Sequence, residues 1–257
     1  MFYEIKTITL LLSFNFNLDM DLVDQFFFAA FTVDSVVFGF DEGDLKILLI
    51  KRGEEPFSEK WALPGHFVKK KETLDAAAER VLEELTGLKN VYLEQVRSFG
   101  KIDRHPAGRV ITVGYFSLIK VESYKIQSGL TGLAQRAEWH SFKELGDLAF
   151  DHNEVISYAF RMLKRRVRTQ PIGFELLPPK FTLTELQHLY EAILLSDAPP
   201  ESSKLDKRNF RKKILSMNLL VDLNEYQEGV AHRPAKLYRF DKEKYQQLEN
   251  AGFSYEL

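Results

Sequence analysis

Cysteine is absent from this 257-residue sequence. That excludes disulfides and thiolate zinc sites, and it suits a reducing, cytoplasmic setting. The six histidines are scattered, with no pair at metal-ligand spacing, and read as surface or hydrogen-bonded residues. Charge of one sign is not in excess: the formal net charge is −2, so any nucleic-acid signal must be local. Long apolar runs are lacking too. Residues 1–19 (MFYEIKTITLLLSFNFNLD) hold an apolar stretch too short to span a bilayer. They also lack a basic leader and a small-residue cleavage site, so neither a secretory signal nor a membrane partner is expected. This extension receives no role, and Met20, which flows directly into the next segment, is a candidate start. Internal repeats and low-complexity tracts are likewise missing.

What is present is an ordinary globular composition, 28% charged and 45% hydrophobic, on a chain long enough for about two domains. Phe26 to Phe40 (FFFAAFTVDSVVFGF) is rich in aromatic and β-branched residues and predicts a strand. The turn Asp41-Glu42-Gly43-Asp44 leads into a second strand, Leu45 to Lys51. Further strands are expected over Val91–Phe99 and Val110–Ile119, a strand-to-helix passage from Trp139, and a long helix from Asn153 to about Arg168. Gln170-Pro171-Ile172-Gly173 and Pro178-Pro179 then interrupt the helical pattern. The boundaries are therefore set at 1–19 for the extension, 20–172 for a first domain with its linker helix, and 173–257 for a second.

Between the second and third strands lies WALPGHFVKKKETLDAAAERVLEELTGL, Trp61 to Leu88. Its helical part ends at Gly87, where a left-handed cap is easiest. The stretch resembles the Nudix box, whose pattern is G-x5-E-x7-R-E-U-x-E-E-x-G-U with U aliphatic. Glu72, Arg80, Leu82, Glu84, Gly87 and Leu88 match it. His66 stands where the pattern has glycine, and Val81 and Leu85 where it has glutamate. Helical positions 81, 84 and 85 share one face. The resemblance implies that this face, in an active hydrolase, holds magnesium against a diphosphate through carboxylates. Here it offers Val81, Glu84 and Leu85, which extend an apolar stripe with Leu74, Ala77, Ala78, Leu82 and Leu88. Glu72, Glu79 and Glu83 remain as substitutes in another register, though Glu79 and Glu83 read as solvated helix charges. The expectation is a Nudix fold without hydrolysis: no catalytic residue, no metal and no cofactor, with Mg2+ required only if the enzyme reading holds.

Phe99 to Tyr115 and Phe150-Asp151-His152 are similar to stretches of Nudix-related transcriptional regulators, in which a Nudix-like domain senses a small metabolite. Under that resemblance Arg104, Arg109, His66 and Glu84 are candidate effector contacts, since a guanidinium matches phosphate with a planar fork of donors. For Arg104 and Arg109 plain loop packing is the alternative. His105 and Pro106 are expected to shape the loop.

In the second domain, Phe181 to Leu195 opens with Thr182 and Glu185 as a capping box, and Asp206 is a natural N-cap for the helix that follows. Lys204, Lys207, Arg208, Arg211, Lys212 and Lys213 surround the apolar Phe210, Ile214 and Leu215. Such a charge run can be a mere solvated face. Helix-turn-helix order accompanies it here, with Asn209, suited to reading adenine, near the helix N-terminus. Leu219–Leu223 and Ala235–Phe240 bracket a loop with Arg233, followed by Lys236, as a β-hairpin wing does. The DNA contacts expected are Lys204, Lys207, Arg208, Asn209, Arg211, Lys212, Arg233 and Lys236. This half resembles the C-terminal domain of the same regulator family.

The fold class expected is α+β: a Nudix-like mixed-sheet α/β/α sandwich followed by a small winged-helix domain. The function expected is a transcriptional regulator that binds a double-stranded operator and a small effector. The resemblance implies a homodimer, and effectors of the ADP-ribose or pentose (L-arabinose) kind. The lost carboxylates and His66 lean slightly toward the sugar. A Nudix hydrolase acting on a nucleoside diphosphate derivative is the alternative, and a protein-interaction module a third.

Overall fold

The computed structural model describes residues 30–41, 43–127, 131–199, 204–231 and 233–257. The N-terminal extension, Met20 and the first residues of the expected Phe26–Phe40 strand lie outside them. The central sheet has the order β3-β2-β1-β6-β5, with β4 pairing on β1 and β7 on β2. Its strands are β1 (Ala30–Asp41), β2 (Asp44–Arg52), β3 (Trp61–Ala62), β4 (Gly65–Phe67), β5 (Glu94–Phe99), β6 (Val110–Lys120) and β7 (Ala134–Ser141). β1 and β6 run parallel from Ala30↔Val110 to Phe40↔Lys120, and every other pairing in the sheet is antiparallel. This is the mixed sheet that the alternating strands and helices implied.

Side chains on β1 alternate between two cores, as the two-residue period of a strand requires. Val33 and Val37 face the box helix α1 (Leu74–Thr86), whose Ala77, Ala78, Val81, Leu82 and Leu85 complete that core. Val36 and Phe38 face α2 (His152–Thr169), through Val155, Ile156, Ala159 and Phe160. Helix α1 is capped at both ends. Thr73 Oγ1 accepts from the Ala76 N–H at 3.2 Å, and Gly87 sits at φ 75° with its N–H on Glu83 O. A residue other than glycine would be strained there.

The second half contains β8 (Phe181–Thr182), α3 (Leu183–Leu194), α4 (Lys207–Ser216), β9 (Leu220–Tyr226), β10 (Lys236–Phe240) and α5 (Lys242–Asn250). β8, β10 and β9 form a three-stranded sheet in that order. The expected capping box is present: the Thr182 N–H donates to Glu185 Oε2 at 2.7 Å, and the Glu185 N–H to Thr182 Oγ1 at 3.1 Å. Each such cap contributes about 1 kcal/mol. Thr182 is the N-cap of α3, and Phe181 and Thr182 also pair with Tyr238 and Leu237, because the wing supplies a strand edge beside them. Helix α5 had no counterpart in the sequence reading; its stripe is short and only partly buried.

The prolines and glycine near residue 172 break the helix but do not make a free linker. Phe174 and Leu176 are buried, and the Phe174 ring stacks on Phe240 at 4.3 Å. Leu163 and Val167 of α2 lie in one core with Leu186, Tyr190 and Ile193 of α3 and with Phe210 and Ile214 of α4. Among the described residues no helix is long and apolar enough to cross a membrane.

Candidate functional site

The matching box residues form one closed ionic group. Arg80 Nε and Nη2 donate to the two oxygens of Glu72 at 2.8 and 2.6 Å, and Nη1 donates to Glu84 Oε2 at 2.9 Å. Arg80 Nη2 also donates to Phe67 O at 3.2 Å, and the Lys69 N–H to Glu72 Oε1 at 2.6 Å. Arg80 first, and that backbone N–H second, hold the Glu72 carboxyl down to about 2. Val81 and Leu85 are 0% and 1% exposed, inside the core. A hard cation needs several free oxygens converging on one point. This donor set, two carboxylates bound to one arginine beside two core aliphatics, does not fit magnesium. Among the described residues no cluster of three histidines or carboxylates is arranged for a metal.

A cleft of about 290 Å³ opens elsewhere, near the N-terminus of α2. From the Trp61–Leu88 stretch it takes Leu63, Gly65, His66 and Phe67, and it adds Asp34 from β1, Arg52 from β2, and His105 and Phe150 from loops. Gly65 is required by close approach: a Cβ there would lie 1.8 Å from Asp34 Oδ1. At the base of the cleft Arg104 is 7% exposed. Its Nε and Nη2 form a fork on Asp151 at 3.0 and 2.7 Å, and Nη2 reaches Asp34 Oδ2 at 3.3 Å. The two family-like stretches, residues 99–115 and 150–152, are therefore joined by one buried ion pair. Such a pair is expensive to break, since removal of one partner strands the other's charge.

His152 completes the base. Its Nδ1 accepts from the Leu63 N–H at 2.9 Å, so the neutral ring carries its proton on Nε2, 3.6 Å from Asp34 Oδ1. Burial pushes the His152 pKa down despite both carboxylates. Burial likewise lowers His66 and His105, with Arg80 and Arg104 respectively as the next causes. The cleft thus presents neutral imidazoles at pH 7. One wall is aromatic: His105 stacks on Phe150 at 5.1 Å, Phe57 meets Phe150 edge-on at 4.8 Å, and Phe67 contacts both His66 and His105. Phe57 and Phe150 adopt φ of 65° and 54°, a strained region for bulky residues that these contacts hold in place.

Of the four expected effector contacts, His66 and Arg104 line this cleft, Arg104 with its guanidinium already engaged. Glu84 and Arg109 do not line it. Glu84 is held by Arg80, and Arg109 Nη1 donates to Gly100 O at 2.6 Å. Asp34, Arg52, Phe67, Phe150 and His152 were not singled out as contacts. Phe150 and His152 belong to the family-like triplet 150–152, whereas Asp34 sits beside Ser35 in β1 with no local mark of its own.

In the second half α4 buries Phe210 and Ile214 and exposes Lys207, Arg208, Asn209, Lys212 and Lys213; Leu215, expected in the buried stripe, is exposed as well, one position round the helix from Ile214. Asp206 Oδ1 caps the helix by accepting from the Asn209 N–H at 2.7 Å, leaving the Asn209 side chain outward. Lys204 and, in the wing loop, Arg233 are exposed as well. The other two expected DNA contacts have partners within the chain. Arg211 is half-buried and donates Nη2 to Thr184 Oγ1 at 3.0 Å, and Lys236 pairs with Asp222 across the hairpin. The outward cations of helix and wing suit a phosphate backbone.

Comparison with known proteins follows this division. The NUDIX domain family model matches residues 30–160, and the NrtR DNA-binding winged helix domain model matches residues 173–240. The chain is 39% identical over 218 residues to the ADPR responsive transcriptional repressor NtrR of Acinetobacter baylyi, covering 83% of each protein. It is 36% identical over 127 residues to an ADP-ribose pyrophosphatase of Methanocaldococcus jannaschii, covering 49% of this chain and 70% of that enzyme. Shewanella oneidensis NrtR complexed with a 27mer DNA aligns at TM-score 0.63 and 27% identity, over 88% of this chain and 97% of that one.

Proposed function

The chain belongs to the NrtR family of Nudix-domain, DNA-binding transcriptional regulators, and from that premise we propose that its effector is ADP-ribose. The observation that carries this reading is the division of labour in the first half: the box carboxylates are closed upon Arg80, while a separate cleft with an aromatic wall and polar base stands open. Binding without cleavage needs such a cleft and does not need a metal cluster. The 39% identical repressor carries ADPR responsiveness in its name, which favours ADP-ribose over the sugar that the lost carboxylates suggested. The hydrolase alternative has a relative that matches 49% of the chain, but it would have to gather magnesium ligands that the box does not offer.

In this reading the winged helix binds a paired operator as a homodimer, with α4 in the major groove and the wing on the backbone. Effector control then requires that ADP-ribose bind the free and DNA-bound arrangements with different affinity. The continuous core from α2 through α3 to α4 supports a mechanical route between cleft and recognition helix. The test is a gel shift of the purified protein on its own upstream DNA, with ADP-ribose and L-arabinose titrated separately. Specific binding changed by ADP-ribose alone is the expected result. A response to arabinose alone replaces the effector, and no specific binding at low salt removes the regulator reading.

A further inference from the structure

Two arginines lie in the cleft, and they differ in what they still have to offer. Arg104 is saturated: two carboxylates share its one positive charge. Arg52 is half-buried and forms no ion pair among the described residues. Its Nε donates to Pro56 O at 2.8 Å and its Nη2 to Glu54 O at 3.3 Å, both neutral carbonyls. The guanidinium carbon lies over the Phe150 ring, 4.9 Å from its centroid. Arg52 lines the cleft, and Nη1 makes no hydrogen bond among the described residues. Beside it Thr32, 8% exposed, lines the same cleft with a buried hydroxyl that has no hydrogen-bond partner. A half-buried cation without a close ion pair and an unsatisfied hydroxyl both describe a site completed by a ligand.

We propose that Arg52 is the residue that holds the diphosphate of the effector, with the base of the nucleotide against the wall formed by Phe67, His105 and Phe150. This rests on the ADP-ribose reading for the identity of the ligand. A guanidinium oriented in advance gives two parallel bonds to phosphate oxygens. Burial lowers the Arg52 pKa, and the charges of Asp34, Glu54 and Glu55 oppose that shift. Glu54 and Glu55 are exposed at the rim. Their charges disfavour a small free anion, which has no apolar surface to bury in return. A nucleoside diphosphate gains both the stack and the fork.

Calorimetric titration of the full chain with ADP-ribose, ADP and adenosine tests this. Arg52→Ala should weaken ADP-ribose and ADP by about tenfold or more and leave adenosine unchanged, with Arg52→Lys in between. The proposal is overturned if Arg52→Ala binds the diphosphates within about twofold of wild type, or if adenosine is lost to the same extent. Should Arg52→Ala fail to fold by circular dichroism, Arg52→Lys decides, and unchanged diphosphate affinity overturns the proposal. If wild type binds ADP but not ADP-ribose, the effector reading fails, and ADP titration of the variants decides the role of Arg52. If wild type binds neither, both fall.

Discussion

Helices α1 and α4 are both densely charged, yet their charges are disposed in opposite ways. On and around α1 most charges answer one another: Arg80 holds Glu72 and Glu84, Lys69 approaches Glu84, and Lys89 pairs with Glu83, while Glu79 is exposed and unpaired among the described residues. On α4, Lys207, Arg208, Lys212 and Lys213 point outward, and none forms an ion pair among the described residues. A helix whose charges are mutually satisfied contributes to the fold. One whose charges are all of one sign and unpaired is complementary to something outside the chain. The same contrast separates Arg104 from Arg52 within the cleft, and Lys236 from Arg233 on the wing.

The sharpest break of this contrast is Arg104→Ala. It leaves Asp34 and Asp151 buried without a partner, and should destabilise the protein by about 3–5 kcal/mol in urea unfolding. A loss below about 1 kcal/mol would show that the pair is not structural. On the outward side, Arg208→Ala with Lys212→Ala should leave the melting temperature unchanged. It should weaken operator binding by about tenfold and reduce the slope of log K against log salt by about 2. An unchanged slope would place DNA elsewhere. Titration sharpens the comparison further. The pKa of His152 is depressed by burial, so the unfolded chain binds its proton first. Stability is then full above the ordinary histidine pKa of about 6.5 and falls as pH drops below it. His152→Asn should show a flatter decline between about pH 6.5 and 5 in the same unfolding assay. The smallest effect is expected of Lys236→Ala: its ammonium is engaged by Asp222, so operator affinity should stay within about twofold of wild type.

Much of the fold was legible because it is written in local patterns. The alternation of β1, the capping box at Thr182 and Glu185, the stop at Gly87 and the stripe of Phe210 and Ile214 all act over a few residues. Val81 and Leu85 were legible too, since helical spacing alone sends them to the same face as Leu82. The cleft was not. It is assembled from β1, the end of β2, the loop before the box and the loops holding Arg104 and Phe150, and no spacing rule connects these. Asp34 lies in a strand that also holds Thr32 and Ser35, and its partner Arg104 is 70 residues away. Arg211 and Lys236 show the converse limit: composition marks a residue as basic and says nothing of whether Thr184 or Asp222 already occupies it.

The core that runs unbroken from Val155 in α2 to Ile214 in α4 also bears on how such regulators can be recombined. A chimera that joins this effector domain to a relative's winged helix at residue 172 would cut across packed side chains, not along a tether. Transplanting α2 together with the DNA-binding half moves the seam to the base of the cleft, where the fork between Arg104 and Asp151 becomes the joint to be matched. Modularity in this protein lies one helix earlier than its prolines suggest.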